Sequence, residues 1–279
     1  MTLLRLPFVS IREALRQAAF NLEKEGIPSA RLEADVLLAH LLGTDRLDLY
    51  KNSNRLLSAF ELSNFEALLK KRISGVPTAY LRGKKEFFSL VFDVGEGVLI
   101  PRADSEVLVE EALKLFAKEA KISILDLGTG SGALIIATLL YYSNATGIAV
   151  DCSAKALEYA QKNAKRHGVE NRLQFFYGSW FNPIPPSSLF DLILSNPPYI
   201  PSFEISSELR FEPREALEGG VDGMASYRAI LSEAWKFMRP QSYLILEIGN
   251  LPEIPPFYKV LKVQRDLSGK DRVLLLQKI

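Results

Sequence analysis

The sequence predicts an α/β protein: a doubly wound, mostly parallel sheet of seven strands, with a small N-terminal helical bundle and a connecting β-hairpin before it. Three observations carry this reading. Residues 10 to 73 show helical periodicity and almost no strand signal. Beyond residue 105, apolar strand-like runs alternate with helical patterns. Two of those runs end abruptly, at Asp126-Leu127-Gly128-Thr129-Gly130-Ser131-Gly132 and at Asn196-Pro197-Pro198-Tyr199, where glycine and proline stop regular structure.

Within residues 1–75, Ser10 is a candidate N-cap, and Glu13 completes a capping box. Leu15, Ala18, Ala19 and Leu22 then share one face until Gly26. A second helix follows Pro28-Ser29, with Leu32, Val36, Leu37 and Leu41 turned inward up to Gly43. A third runs from Ser58 to Ile73 through Leu62, Phe65, Leu68 and Leu69. The cluster Lys70-Lys71-Arg72 reads as its solvated end, where cations suit the helix dipole. No catalytic constellation falls here, so this domain is expected to bind a partner.

Gly75-Val76-Pro77 breaks the helical pattern, and residues 76–100 read as the hairpin, with Gly83, Gly95 and Gly97 as turn points. Residues 101–279 form the α/β domain. Its expected helices are Ser105–Lys118, Ser131–Tyr142, Ala154–His167 and Ser226–Phe237. Its expected strands are Ile122–Leu127, Thr146–Val150, Leu173–Tyr177, Phe190–Ser195 and Ser242–Ile248. Two last runs, Tyr258–Val263 and Arg272–Gln277, close one edge as an antiparallel pair about a turn at Ser268-Gly269-Lys270. Strands this continuously apolar are buried on both faces.

At 279 residues, 48% hydrophobic and 24% charged, the chain has the composition of a globular enzyme. It carries 34 basic against 33 acidic residues and no long basic tract. Stable nucleic-acid binding, which draws on many phosphate contacts, is therefore not expected. One cysteine, Cys152, and two histidines, His40 and His167, speak against an internal disulfide and against a Cys/His metal centre. Cys152 reads as a small packed residue, and His167 as decoration of a helix C-terminus. No apolar run reaches membrane-spanning length, and residues 1–6 lack the regions of a signal peptide, so the cytoplasm is the expected compartment and no membrane the expected partner. The chain is expected to be monomeric.

The glycine loop follows a strand and opens a helix, so a ligand can lie against bare backbone. It lacks the Gly-Lys-Ser/Thr of a P-loop, and its spacing is G-x-G-x-G rather than the dinucleotide G-x-G-x-x-G. Asp126 at the strand end is awkward for a pyrophosphate but acceptable for an ammonium or sulfonium. Asp151 ends the next strand, where a carboxylate can accept both hydrogen bonds of a ribose diol. Together these features favour S-adenosylmethionine over NAD or ATP. In Asn196-Pro197-Pro198-Tyr199, two prolines fix the backbone and leave carbonyls available to a planar amino group.

These motifs resemble those of class I S-adenosylmethionine-dependent methyltransferases that act on amino groups. With Glu86-Phe87-Phe88-Ser89-Leu90, Leu99-Ile100-Pro101-Arg102-Ala103-Asp104-Ser105-Glu106 and Phe211-Glu212-Pro213-Arg214-Glu215-Ala216-Leu217, the chain is similar to the HemK/PrmC family over nearly its whole length. These are protein-(glutamine-N5) methyltransferases of peptide chain release factors. The resemblance implies that Gly128, Thr129, Gly130, Ser131 and Gly132 hold the methionine end of the cofactor, Asp151 the ribose, and that Trp180 packs on the adenine. It implies that Asn196 lies near the transferred methyl and holds the substrate amide, and that the substrate is a glutamine, expected in a Gly-Gly-Gln motif, of a class 1 release factor. The product is S-adenosyl-L-homocysteine. Two departures are visible. Ser179 stands where the family often has an acidic residue, so the adenine amino group is left to a hydroxyl or backbone contact or is held more weakly. Leu251 to Phe257, with three prolines, is a poor helix where related folds commonly have one.

An amide nitrogen is a poor nucleophile, so positioning is the main task. The Asn196 side-chain carbonyl and the Pro197 backbone carbonyl are expected to accept hydrogen bonds from the substrate –NH2, with Pro198 stiffening the turn and Tyr199 as an aromatic wall. No strong general base is required. Arg102 and Glu212–Arg214 read as structural ion pairs. The competing enzyme reading is methylation of an exocyclic amino group of adenine or guanine in nucleic acid, which the charge balance disfavours. A non-catalytic module with a relic pocket is disfavoured by the intact motifs.

Overall fold

The computed structural model describes residues 9–265 and 269–279. Ser268 of the expected last turn and residues 1–6 lie outside these. The chain divides into two compact units, one ending at Gly83 and one from Lys84 to Ile279. The sequence puts the breaks at 75 and 100 instead.

In the first unit, β1 (Val9–Ser10) pairs with β2 (Leu56–Leu57) beside α1 (Ile11–Lys24), α2 (Ala30–Leu42), α3 (Arg46–Lys51), α4 (Ala59–Ile73) and α5 (Thr78–Arg82). Ser10 and Ser58 each form a reciprocal capping box, with Glu13 and Glu61. Leu15, Leu22, Leu37, Leu38, Phe65 and Leu69 make the core. Leu32, expected inside, is exposed, whereas Asp35 is buried. Its carboxylate accepts a hydrogen bond from Tyr50 Oη at 2.5 Å and pairs with Arg31 at 3.1 Å. A paired acid can occupy an inward position that a hydrophobic count assigns elsewhere. Residues 78–82, expected in the hairpin, are helical: Pro77 supplies the N-cap, and Leu81 packs on the helical core.

The second unit opens with the hairpin β3 (Lys84–Phe87) and β4 (Leu90–Asp93). Its turn is Phe88-Ser89, both at positive φ (51° and 59°), not one of the expected glycines. A two-residue turn needs that handedness, and the Phe88 amide is held by Glu106 Oε1 at 2.9 Å. There follow α6 (Glu106–Ala112), β5 (Ser123–Leu127), α7 (Ala133–Tyr141), β6 (Thr146–Asp151), α8 (Ala154–Arg166), β7 (Leu173–Tyr177), β8 (Phe190–Ser195), α9 (Ala225–Glu233), β9 (Met238–Glu247), β10 (Tyr258–Arg265) and β11 (Asp271–Lys278). The expected helix at 105–118 is thus shorter, and that at 226–237 ends in a tighter turn over Ala234–Phe237. No helix occurs between Leu251 and Phe257.

The seven-stranded sheet has the order β10-β11-β9-β8-β5-β6-β7. The five strands from β9 to β7 run parallel, and β11 and β10 are antiparallel additions. On one face Leu125, Leu127, Ile193, Leu244 and Leu246 pack against Tyr227, Ile230 and Leu231 of α9. Ile124 and Leu192, which point the other way by the two-residue period, are equally buried. Chain order reverses at β5, so the carboxyl ends of β5, β6 and β8 face one crevice. No helix of the described residues is long and apolar enough to cross a membrane.

One buried side chain ties the surroundings of that crevice together. Asn163, inside α8, donates to the carbonyls of Ser131 (2.9 Å) and Asp93 (3.0 Å) and accepts from the Asp93 amide (2.7 Å). The hairpin end, α8 and the glycine loop are thereby locked in register. Asn163→Ala leaves three buried backbone groups without partners and is expected to cost about 2–4 kcal/mol. Urea denaturation measures this, and a loss under about 0.5 kcal/mol, the scale of a neutral surface change, would refute it.

Candidate functional site

Three loops build the site. After β5, the amides of Gly128 and Thr129 both donate to the Val150 carbonyl, at 2.9 and 3.0 Å, folding the loop over the end of β6. Gly128 and Gly130 have φ of +69° and +56°, a backbone that a side chain would strain. After β6, Asp151 accepts from the Gly130 amide through Oδ2 and from the Ser153 amide through Oδ1, each at 2.8 Å. After β8, Ser195 Oγ donates to the Leu127 carbonyl at 2.7 Å, bringing Asn196 beside the glycine loop.

Gly128, Thr129, Gly130, Ser131, Asp151, Trp180 and Asn196 line one cavity of about 480 Å³, with Pro198. Gly132 does not line it. A Cβ there would meet Ile136 at 2.8 Å and Ala160 at 3.3 Å, so Gly132 serves the close approach of α7 and α8. Asp126 is also absent from the wall: it is wholly buried beneath the loop, where Oδ2 accepts from Thr129 Oγ1 at 2.6 Å. The sequence reading that set it against a cationic ligand is corrected accordingly. Cys152, read as packed, is exposed on the cavity wall. His167 does cap α8, with Nε2 2.9 Å from the Val91 carbonyl.

The cavity fits S-adenosylmethionine. Its volume suits a nucleoside-sized ligand. The Asp151 oxygens keep lone pairs beyond those taken by two amides, enough for a diol. Trp180 lies beside bare Gly128 in a left-handed backbone (φ 48°), a conformation that bulky residues adopt where the surroundings impose it. Ser179 lines the same wall.

A second cavity, of about 140 Å³, is lined by Pro197 and Tyr199 together with Leu99, Arg102, Ile200 and Leu217. Asn196 and Pro198 border both cavities. Arg102 pairs with Glu212, whose Oε2 also holds the Ile100 amide at 3.0 Å, so the ion pair is structural. Tyr199 Oη donates to Glu247 Oε1 at 3.0 Å and accepts from Arg272 Nη1 at 3.2 Å. A Cβ at Gly249 would sit 2.7 Å from the Tyr199 ring, so only glycine admits the ring at that place. Asn196 Nδ2 donates to Ser105 Oγ at 3.0 Å. Glu247 and Arg272 carry no sequence signal of their own, and Ser105 stands in the Leu99–Glu106 segment with no role assigned to it there. Each is an ordinary polar residue until the fold gathers it.

Burial shapes the titration of these groups. Loss of hydration pushes the Asp151 carboxyl up, against the two amides that hold it. Glu247 is raised by burial as well, and Tyr199 by burial and the Glu247 charge. Asp126 is pushed up to about 7, first by burial and then by the charge of Asp151, with the Thr129 hydroxyl opposing.

Comparison with known proteins adds independent findings. Residues 13–83 match the PrmC N-terminal domain, and residues 118–268 match a methyltransferase domain. The chain is 41% identical over 244 residues to a release factor glutamine methyltransferase of Geobacter sulfurreducens, spanning 86% of this chain and 84% of that one. It is 35% identical over 282 residues to one of Nitratidesulfovibrio vulgaris, spanning 96% and 95%. Among solved structures, it is similar to a methyltransferase from Pyrococcus furiosus at 20% identity, with a TM-score of 0.48 and coverage of 77% of this chain and 98% of that one.

The Asp126 carboxyl gives a test of the site's electrostatics. The unfolded chain releases this proton near the ordinary value of 3.8, the folded chain at about 7. Between them the folded state holds more protons, so the contribution of Asp126 to stability falls as pH rises, and its penalty is complete above the folded value. Asp126→Asn, uncharged throughout, is expected to lose less stability than the parent between about pH 4 and pH 8, by on the order of a few kcal/mol. Urea midpoints across that range read the difference, and parallel curves would contradict the raised pKa.

Proposed function

The chain belongs to the release factor glutamine methyltransferase family, and we propose that it transfers a methyl group from S-adenosylmethionine to the side-chain amide nitrogen of a glutamine in a class 1 release factor. The observation that carries this reading is the position of Asn196, on the wall of both cavities at the end of β8. In the larger cavity, Gly128 to Ser131 face the methionine end of the cofactor, Asp151 the ribose and Trp180 the adenine. The smaller cavity takes the glutamine side chain.

Asn196 Oδ1 accepts no hydrogen bond from any described residue, and neither does the Pro197 carbonyl. Both are acceptors for the substrate –NH2, and their pull turns the nitrogen lone pair toward the donor while favouring the positive charge that grows on nitrogen. Leu99, Ile200 and Leu217 supply the apolar wall that excludes water, with the Tyr199 ring fixed beside them. When bound, the cofactor supplies a sulfonium-activated methyl: the N–C bond forms as the S–C bond breaks, sulfur keeps that electron pair, and nitrogen then loses a proton. A methylated amide nitrogen is acidic enough to lose it to water, so no side-chain base is assigned.

Radiolabelled S-adenosylmethionine offered with a release factor, and separately with DNA, tests the substrate class. Label is expected on the release factor and on its glutamine; label on DNA alone would favour the nucleic-acid reading instead. Asn196→Ala is expected to lower transfer at least about 100-fold, with the cofactor Kd held within roughly threefold. Surviving transfer would remove Asn196 from its role. Trp180→Ala is expected to weaken cofactor binding by about 1–3 kcal/mol, the cost of losing one base–aromatic stack. Calorimetry measures it, and an unchanged Kd would place the adenine elsewhere.

A further inference from the structure

We infer that Ser105 and Glu247 are positioning residues that fix which way the Asn196 amide faces. This rests on the reading of Asn196 given above. A side-chain amide presents a donor on one edge and an acceptor on the other, and only one orientation offers Oδ1 to a substrate –NH2. What decides the orientation is the direction in which the hydrogen bonds around it run.

The chain of bonds starts at Glu247, at the end of β9. Its carboxylate is 1% exposed and meets two hydroxyls: Ser105 Oγ at Oε2 and Tyr199 Oη at Oε1. As a carboxylate it can only accept, so each hydroxyl must spend its single proton on it. Ser105 is then left with lone pairs only, and toward Asn196 it can only accept. The group 3.0 Å from Ser105 must therefore be the amide –NH2, and Oδ1 is turned away from it. The same logic holds on the other arm, where Tyr199 Oη accepts from Arg272 Nη1. Every bond points toward Glu247, and none is reversible while it is charged. Burial opposes that charge, and Arg272 supports it; Asp104, 3.6 Å from Arg272, works against it.

Ser105 lies 91 residues from Asn196 and 142 from Glu247 in the chain. It is 3% exposed, on a short turn ahead of α6, and it lines the larger cavity with its hydroxyl already engaged. A serine placed merely to fill space there would need no donor–acceptor order. The direction of these bonds gives the turn ahead of α6 and the end of β9 a part in methyl transfer.

The test uses the full chain with a release factor and S-adenosylmethionine. Ser105→Ala removes the acceptor and leaves the Asn196 amide free to turn. It is expected to lower kcat about 10- to 100-fold, while KM for the release factor and Kd for the cofactor stay within about threefold. Ser105→Thr keeps the hydroxyl and is expected to restore most of kcat. Glu247→Gln carries an amide that can donate as well as accept, so it no longer enforces direction; kcat is expected to fall, and the double variant with Ser105→Ala to be no worse than the poorer single one. Should Ser105→Ala fail to fold, Ser105→Cys, of similar size but a weak acceptor, carries the same expectation. A Ser105→Ala enzyme with kcat within twofold of the parent would overturn the inference. So would a loss confined to KM or cofactor Kd, or failure of Ser105→Thr to recover activity at an unchanged melting temperature. Asn196→Ala assayed in parallel separates the two levels: if it still transfers methyl, the role of Asn196 fails, and if it is dead while Ser105→Ala is normal, only the orienting role does.

Discussion

The parallel pairing of β5 with both β6 and β8 is the constraint on which the site depends. Because all three strands run the same way, the loops that leave them emerge at one edge. Their separation is then set by sheet spacing, not by the loops themselves. Val150 at the end of β6 accepts from two amides of the loop that follows β5, and Ser195 at the end of β8 bonds the last carbonyl of β5. The loops that carry Gly128 and Asn196 are thus both fastened at the end of β5.

Around that frame the protein keeps several charged and polar groups away from water, each with partners. Asp151 is held by two amides, Asn163 by three backbone groups, and Glu247 by two hydroxyls. A buried polar group without partners costs more than its bonds contribute, so such groups persist where they fix an arrangement that apolar packing leaves loose. Asp126 is the exception in degree: Thr129 satisfies one oxygen, while Oδ1 accepts no well-formed bond, and burial accordingly favours its protonated form. Protonation of Asp126 also spares Asp151 a like charge beneath the loop.

The acceptor side shows how little general acid–base machinery the proposed reaction needs. The smaller cavity is walled by Leu99, Ile200 and Leu217, with Arg102, Asn196, Tyr199 and Glu247 also on its lining. Arg102 is committed to Glu212. Glu247 is likewise committed to Ser105 and Tyr199.

By itself the sequence determined the order of elements, the three site loops and the cofactor class, because these follow from local periodicity and from residues whose backbone chemistry is special. Gly128, Gly130, Pro197 and Pro198 announce themselves by what their backbones can or cannot do. Asp151 announces itself by standing at a strand end at a set distance from the glycines. Where local chemistry was ordinary, the reading failed or fell silent. The Phe88-Ser89 turn lacks glycine, Asp35 is an acid on an inward face, and Gly132 looks like a ligand residue but serves helix packing. Ser105, Glu247 and Arg272 have no assigned role in the chain, yet the fold brings them into one hydrogen-bonded group with Asn196 and Tyr199. Only the tertiary structure could join them, since the direction of a hydrogen bond is a property of which donor meets which acceptor, and these partners lie up to 142 residues apart.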